Sequence, residues 1–210
     1  MTEFSTHQPE DDLLAVHSRA PRAGVDVGLA RVGVAFSDPD GLLATPWKTL
    51  KRNVSSNQDV KVLAREIRAR NVNRVYVGLP RSLKGGETAS TEMARNYAEI
   101  LNQLLNSPSV SSEANSATQD ENETSADVVV IPIYLIDERL TTVSAHKTLR
   151  ESGIETRKHR AIIDQAAAVN ILQQALDMEK SQRRAPGEQV PFPGDAMITH
   201  DAPEAKDTSL

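Results

Sequence analysis

Polar and apolar residues alternate in short runs near the start of the chain and then give way to a longer, helical repeat. RAGVDVG at 22–28, RVGVAFS at 31–37 and LLATPWKTL at 42–50 carry the period of two that marks strands, and glycine- or proline-containing turns separate them. NQDVKVLAREIRAR at 57–70 switches to apolar positions three and four apart, which predicts a helix. A strand follows at 73–79 (NRVYVGL), then a helix at 89–105 (ASTEMARNYAEILNQLL). Beyond a polar stretch come an apolar strand, VVVIPIYLI at 128–136, a helix at 142–152 stopped by Gly153, and a last helix at about 160–183. No internal repeat is present. Three hairpin strands followed by αβαβ predict the α/β class, with a mixed sheet and helices on both faces.

The remaining stretches lack any such period. Residues 1–20, 107–127 and 186–210 are rich in Pro, Ser, Asn, Asp and Glu and are expected to be disordered, leaving one folded domain over 21–185 with an insertion inside it. Their charge changes the picture of the whole. The chain has a formal net charge of −5, but these three segments hold 14 of the 29 acids and only 2 of the 24 Lys and Arg. The predicted folded part therefore has 22 bases against 15 acids and is basic, the footprint of a phosphate-backbone binder. With no cysteine there is no disulfide framework, thiolate metal site or cysteine nucleophile, so a metal must be held by oxygen or imidazole. No apolar run is long enough to span a membrane and the N-terminus lacks the order of a signal peptide, which predicts a soluble, cytoplasmic protein.

The candidate chemistry lies in carboxylates placed where a strand or helix should be apolar. In GVDVG, Asp26 shares its strand face only with Gly24 and Gly28. A carboxylate there needs a cation, and Arg31 or solvent is the plain structural answer. The strand at 128–136 runs into Asp137-Glu138-Arg139, at the end of a strand where α/β sheets gather their sites, but only one of the two acids can face the side of Asp26. In the last helix Asp164 shares a stripe with Ala167, Ala168 and Ile171. Small residues let such a helix come close to the sheet, and an acid on that face is more often functional than structural; the plain alternative is an acid favoured by the helix dipole. Taken with Glu138, these acids come from three elements and are expected to meet over one edge of the sheet. Three close carboxylates repel one another unless a hard cation such as Mg²⁺ or Mn²⁺ joins them. That chemistry suits phosphodiester hydrolysis.

GVDVGLARVGVAFSDPDGLLATP, YVGLPRSLKGGETAST, IDERLTT and IDQAAAVNILQ, in that order, resemble the YqgF family of Holliday-junction resolvases and pre-16S rRNA nucleases, within the ribonuclease H-like superfamily. The resemblance covers about residues 22–177 apart from 107–127. It implies a ribonuclease H-like fold with a five-stranded mixed sheet, divalent-metal nuclease chemistry, and a role in processing the 5′ end of ribosomal RNA. By motif it assigns Asp26, Glu138 and Asp164 as catalytic metal ligands. The fourth acid of the wider resolvase pattern is absent, because Ala167 stands in its place, which leaves one or two metals open.

Basic residues are expected around these acids. Arg81 and Lys84 lie in the glycine-containing loop RSLKGG, whose amides and cations suit a phosphate; Arg157, Lys158 and Arg160 precede Asp164; Arg31 and Arg139 line the site. His159, among three cations, is not expected to be a ligand. Aromatic residues make up 3%, so base stacking should be minor, and structured RNA or branched DNA is the expected partner. Cutting a junction needs two active sites and hence a homodimer. Two other readings remain: a nucleic-acid binding module without catalysis, and an actin-like phosphotransferase, whose first phosphate loop DVGLARVG resembles but whose second lobe this chain has little room for.

Overall fold

The computed structural model describes residues 19–82, 84–107, 130–138 and 157–193, with side chains of the last stretch from residue 163. Strands β1 (Arg22–Val27), β2 (Arg31–Ser37) and β3 (Ala44–Lys51) form an antiparallel meander. Helix α1 (Gln58–Ala69) leads to β4 (Arg74–Leu79), and α2 (Ala89–Asn106) precedes β5 (Ile133–Asp137). Helix α3 (Arg157–Gln182) and a two-residue β6 (Glu188–Gln189) complete the order. The sheet runs β3-β2-β1-β4-β5-β6, with β1, β4 and β5 parallel and both outer sides antiparallel. This is the expected α/β arrangement with six strands in place of five.

The sixth strand falls within the first residues of the stretch expected as a C-terminal tail. Val190 N donates to Ile133 O at 2.9 Å, the Val190 side chain is buried, and Asn102 Nδ2 donates to Pro191 O at 2.7 Å. Two residues are too few to show a period, so only the open edge of β5 reveals why they extend. Other boundaries move for local reasons. β3 begins at Ala44, because the Asp38 carboxylate accepts from the amides of Leu42 and Leu43 and bends them into a turn. Those bonds, that of Leu43 first, outweigh what burial there is and hold Asp38 below the usual carboxylate value. β5 begins after Pro132, which has no N–H for a ladder. The expected helix at 142–152 and most of the 107–127 insertion lie outside the described residues.

The sheet separates two cores. On one face Val25, Val27, Val32, Val34, Val75 and Val77 pack against Val60, Leu63 and Ile67 of α1 and Tyr97 and Leu101 of α2. On the other, Ala35, Tyr76 and Ile136 meet Ala168, Ile171, Leu172 and Ala175 of α3. A reciprocal Thr88–Thr91 capping box starts α2, and the Thr91 hydroxyl also donates to Pro80 O, anchoring the helix to the end of β4.

Candidate active site

Asp26 is surrounded by glycine in two directions. Along β1 its face-mates are Gly24 and Gly28; across the sheet it pairs with Gly33 of β2, and the register aligning Val25 with Val77 sets Gly78 of β4 on its other side. Asp26 is nevertheless only 4% exposed, because α3 covers this face. A Cβ at Gly24 would lie 2.8 Å from Ala168 O, and one at Gly33 would lie 2.0 Å from Asp164 O. Small residues on both partners thus bring the helix backbone onto the sheet beside Asp26.

The same clearing receives the second acid. A Cβ at Gly78 would lie 2.7 Å from Glu138 Oε1 and 2.5 Å from Ile171 Cδ1, so the Glu138 carboxylate reaches back over β4 on the α3 face. Asp137 pairs with Leu79 in the ladder and its Oδ2 is 3.9 Å from Arg81 Nε. Strand parity thereby separates the two neighbouring acids, Glu138 toward Asp26 and Asp137 toward Arg81. Asp26, Glu138 and Asp164 all border one row of the sheet and all are buried. Among the described residues no three of His, Asp and Glu stand close enough to make a preformed ion cage.

Arg31 lies at this end of the sheet, where its Nε donates to Asp164 Oδ2 at 2.6 Å. Its side chain is 32% exposed and that of Asp164 only 3%, so the guanidinium joins the buried acid to solvent. The donor set suits a hard divalent cation in kind, with oxygen ligands only, while Arg31 holds one carboxylate.

The loop after β4 departs from expectation. The amides of Ser82, Gly85 and Gly86 bond within the turn, to Gly86 O, Ser82 O and Ser82 Oγ, so they do not form an open phosphate cradle. Arg81 stands 3.9 Å from both Asp137 and Glu188, and Lys84 is exposed. Arg157, Lys158 and Arg160 form the first turn of α3, which contains no acid; their side chains and all of Arg139 lie outside the described residues. Gly33 and Gly78 escaped the sequence reading, although a glycine inside an otherwise apolar strand is a signal of close backbone approach.

The α/β sheet thus carries buried acids on a hairpin strand, at the end of a parallel strand and on a closely seated helix. The chain belongs to the RuvX family, described as Holliday junction resolvases, whose model matches residues 20–128 and 110–178. A relative from Mycobacterium sp. (strain JLS), named "Putative pre-16S rRNA nuclease", is 41% identical over 188 residues, 90% of this chain and 98% of its own length. One of the same name from Streptomyces avermitilis is 42% identical over 174 residues, 82% and 95% of the two chains. Among solved structures, Thermus thermophilus RuvC in complex with a Holliday junction substrate aligns with a TM-score of 0.40 and 14% identity, over 81% of this chain and 99% of that one.

Proposed function

We propose that the chain is a divalent-metal-dependent nuclease that hydrolyses a phosphodiester bond in structured RNA, the 5′ end of the 16S rRNA precursor, with Asp26, Glu138 and Asp164 at the scissile phosphate. The observation that carries this is the glycine row: Gly33 and Gly78 flank Asp26, Gly33 lets the α3 backbone at Asp164 close onto the sheet, and Gly78 receives the Glu138 carboxylate. Among the described residues these carboxylates form no preformed cage, so a divalent cation would have to draw them together against their mutual repulsion. Mg²⁺ or Mn²⁺ held by these carboxylates supplies positive charge against the phosphate and a means of activating water.

The chain's own cations supply the rest. Arg31 orients Asp164 and keeps its charge compensated. Arg157, Lys158 and Arg160 add charge at the helix end where the dipole is already positive, a combination that attracts a phosphate and that nothing acidic in the first turn offsets. Arg81 and Lys84, in the loop after β4, add positive charge near the end of β5, and Arg139 follows Glu138 in the sequence.

The same carboxylates would cut a four-way DNA junction if two copies of the chain paired, a reading supported by the family description. Labelled 16S precursor and four-way junctions, incubated in matched Mg²⁺ and Mn²⁺ buffers, separate the two. Asp26→Asn, Glu138→Gln and Asp164→Asn should each abolish cleavage with the circular dichroism spectrum retained, and EDTA should do the same. Cleavage that survives EDTA overturns the mechanism. Salt-dependent binding untouched by all three substitutions points to a binding module, and ATP turnover lost in Asp26→Asn to a phosphotransferase.

A further inference from the structure

The opposite end of the sheet holds a basic cavity that the proposed cleavage does not use. It has a volume of about 360 Å³ and is lined by Arg22, Arg74, Glu179, Lys180, Arg183 and Arg184, with the β2–β3 turn at its edge. Arg22 and Arg74 are the first residues of β1 and β4 and stand side by side in the register. Glu179 of α3 sits between them: its Oε1 accepts from Arg22 Nη2 at 3.0 Å and from Arg74 Nη1, and its Oε2 accepts from the Tyr76 hydroxyl at 2.9 Å. One carboxylate thus meets two guanidinium groups, and the floor keeps a net positive charge. Gly41, at φ +65°, lets the turn lie against Arg22; a Cβ there would be 3.0 Å from Nη1.

The rim adds Lys180, Arg183 and Arg184, all exposed. The turn also contributes an acid to the lining, Asp40, whose Oδ1 accepts from Arg19 Nε at 3.1 Å. Cations after a helix are commonly explained by its negative C-terminal end, and that suffices for the rim alone. It does not explain a buried and a half-buried arginine at the starts of strands, nor Arg74 Nε, a buried donor without an acceptor among the described residues. The cavity is distinct from the acid site. Arg22 and Asp26 are ~13 Å apart along β1, and Asp164 and Glu179 are ~22 Å apart along α3.

We infer that this cavity binds a phosphate group, carried either by a nucleic-acid strand engaged at the far end of the sheet or by a free phosphorylated molecule. The floor supplies guanidinium donors preorganised by Glu179, and the rim supplies charge that draws the anion in. The nucleic-acid source rests on the nuclease reading; the free source does not.

The test uses the full chain and the double variant R183A/R184A, which alters only exposed rim residues. One arm titrates inorganic pyrophosphate by calorimetry. The other measures RNA binding against salt in Ca²⁺, with kcat in Mg²⁺ as control. A free-phosphate site predicts pyrophosphate binding weakened at least tenfold in the variant with RNA affinity unchanged. A backbone subsite predicts weaker RNA binding, a salt slope reduced by about 2, and unchanged kcat. Equal behaviour of variant and wild type in both arms overturns the site. If the chain cuts no nucleic acid at all, the nuclease reading fails while the pyrophosphate arm still decides the cavity.

Discussion

The carbonyl oxygen of Asp164 lies over Gly33, within 2.0 Å of where a Cβ on that residue would be. No side chain fits there without moving the backbone of α3. Gly33→Ala should therefore lower stability by about 1–3 kcal/mol or more, as overpacking does, and displace Asp164. Gly78→Ala meets instead the ends of two side chains, Glu138 Oε1 and Ile171 Cδ1, which can give way. It should keep most of the fold and lose cleavage. Urea unfolding alongside initial rates distinguishes the two; a fully active Gly33→Ala contradicts the placement of Asp164.

Arg31 holds Asp164 from the solvent side. Because the guanidinium is about a third exposed, Arg31→Ala should cost only about 1–2 kcal/mol of stability, less than a fully buried pair. The effect on rate should be larger, ~10²-fold in kcat, since a carboxylate freed to swing leaves the reacting geometry. With a cation removed beside Asp164, Mn²⁺ should raise the melting temperature of the variant more than that of the wild type. An equal metal-induced shift would show that Arg31 and the metal do not share this acid.

The two ends of the insertion are tied together. Asn106 Nδ2 donates to Ile131 O at 3.0 Å, and Ile131 N donates to Asn106 Oδ1 at 2.9 Å, so one amide side chain closes the gap between α2 and the approach to β5. Replacing residues 108–129 with a short Gly-Ser linker should leave the fold and the cleavage rate intact, because the loop is closed by contacts outside it. Asn106→Ala should cost about 1–3 kcal/mol, since a buried backbone pair then loses its partner. Thermal unfolding and the cleavage assay check both; collapse of the linker variant would assign the insertion a structural role.

Stability should carry the signature of Glu179. Burial alone would raise its carboxyl, but the charge of Arg74, the bonds and charge of Arg22 and the Tyr76 hydroxyl prevail and hold it below the usual glutamate value. A folded-state pKa below the unfolded one contributes stability above about pH 4.3, the ordinary value, and loses it as pH falls through the lower folded value. Glu179→Gln should be less stable at neutral pH by on the order of 3 kcal/mol and show a shallower decline on acidification. Urea midpoints from pH 3 to 8 measure this; parallel curves would contradict it. Tyr76, pushed upward by burial and by Glu179, should stay a protonated donor well into the alkaline range.

Local pattern determined a good deal by itself. The alternation in 22–28 and 31–37, the helical spacing in 57–70 and 89–105, and the small stripe around Asp164 each depend on neighbours within a few residues, and the structure keeps all of them with ends shifted by at most three positions. The motifs also singled out Asp26, Glu138 and Asp164 as the candidate acids, all three of which are buried. What only the tertiary structure decided is lateral. That Gly33 and Gly78 flank Asp26, that Glu138 and not Asp137 turns toward it, that residues 188–189 extend the sheet, and that Glu179 joins Arg22 to Arg74 all follow from strand register and helix placement. Periodicity says which face a residue takes; it carries no information about which distant residue lies beside it, because that choice is made by packing across the whole sheet.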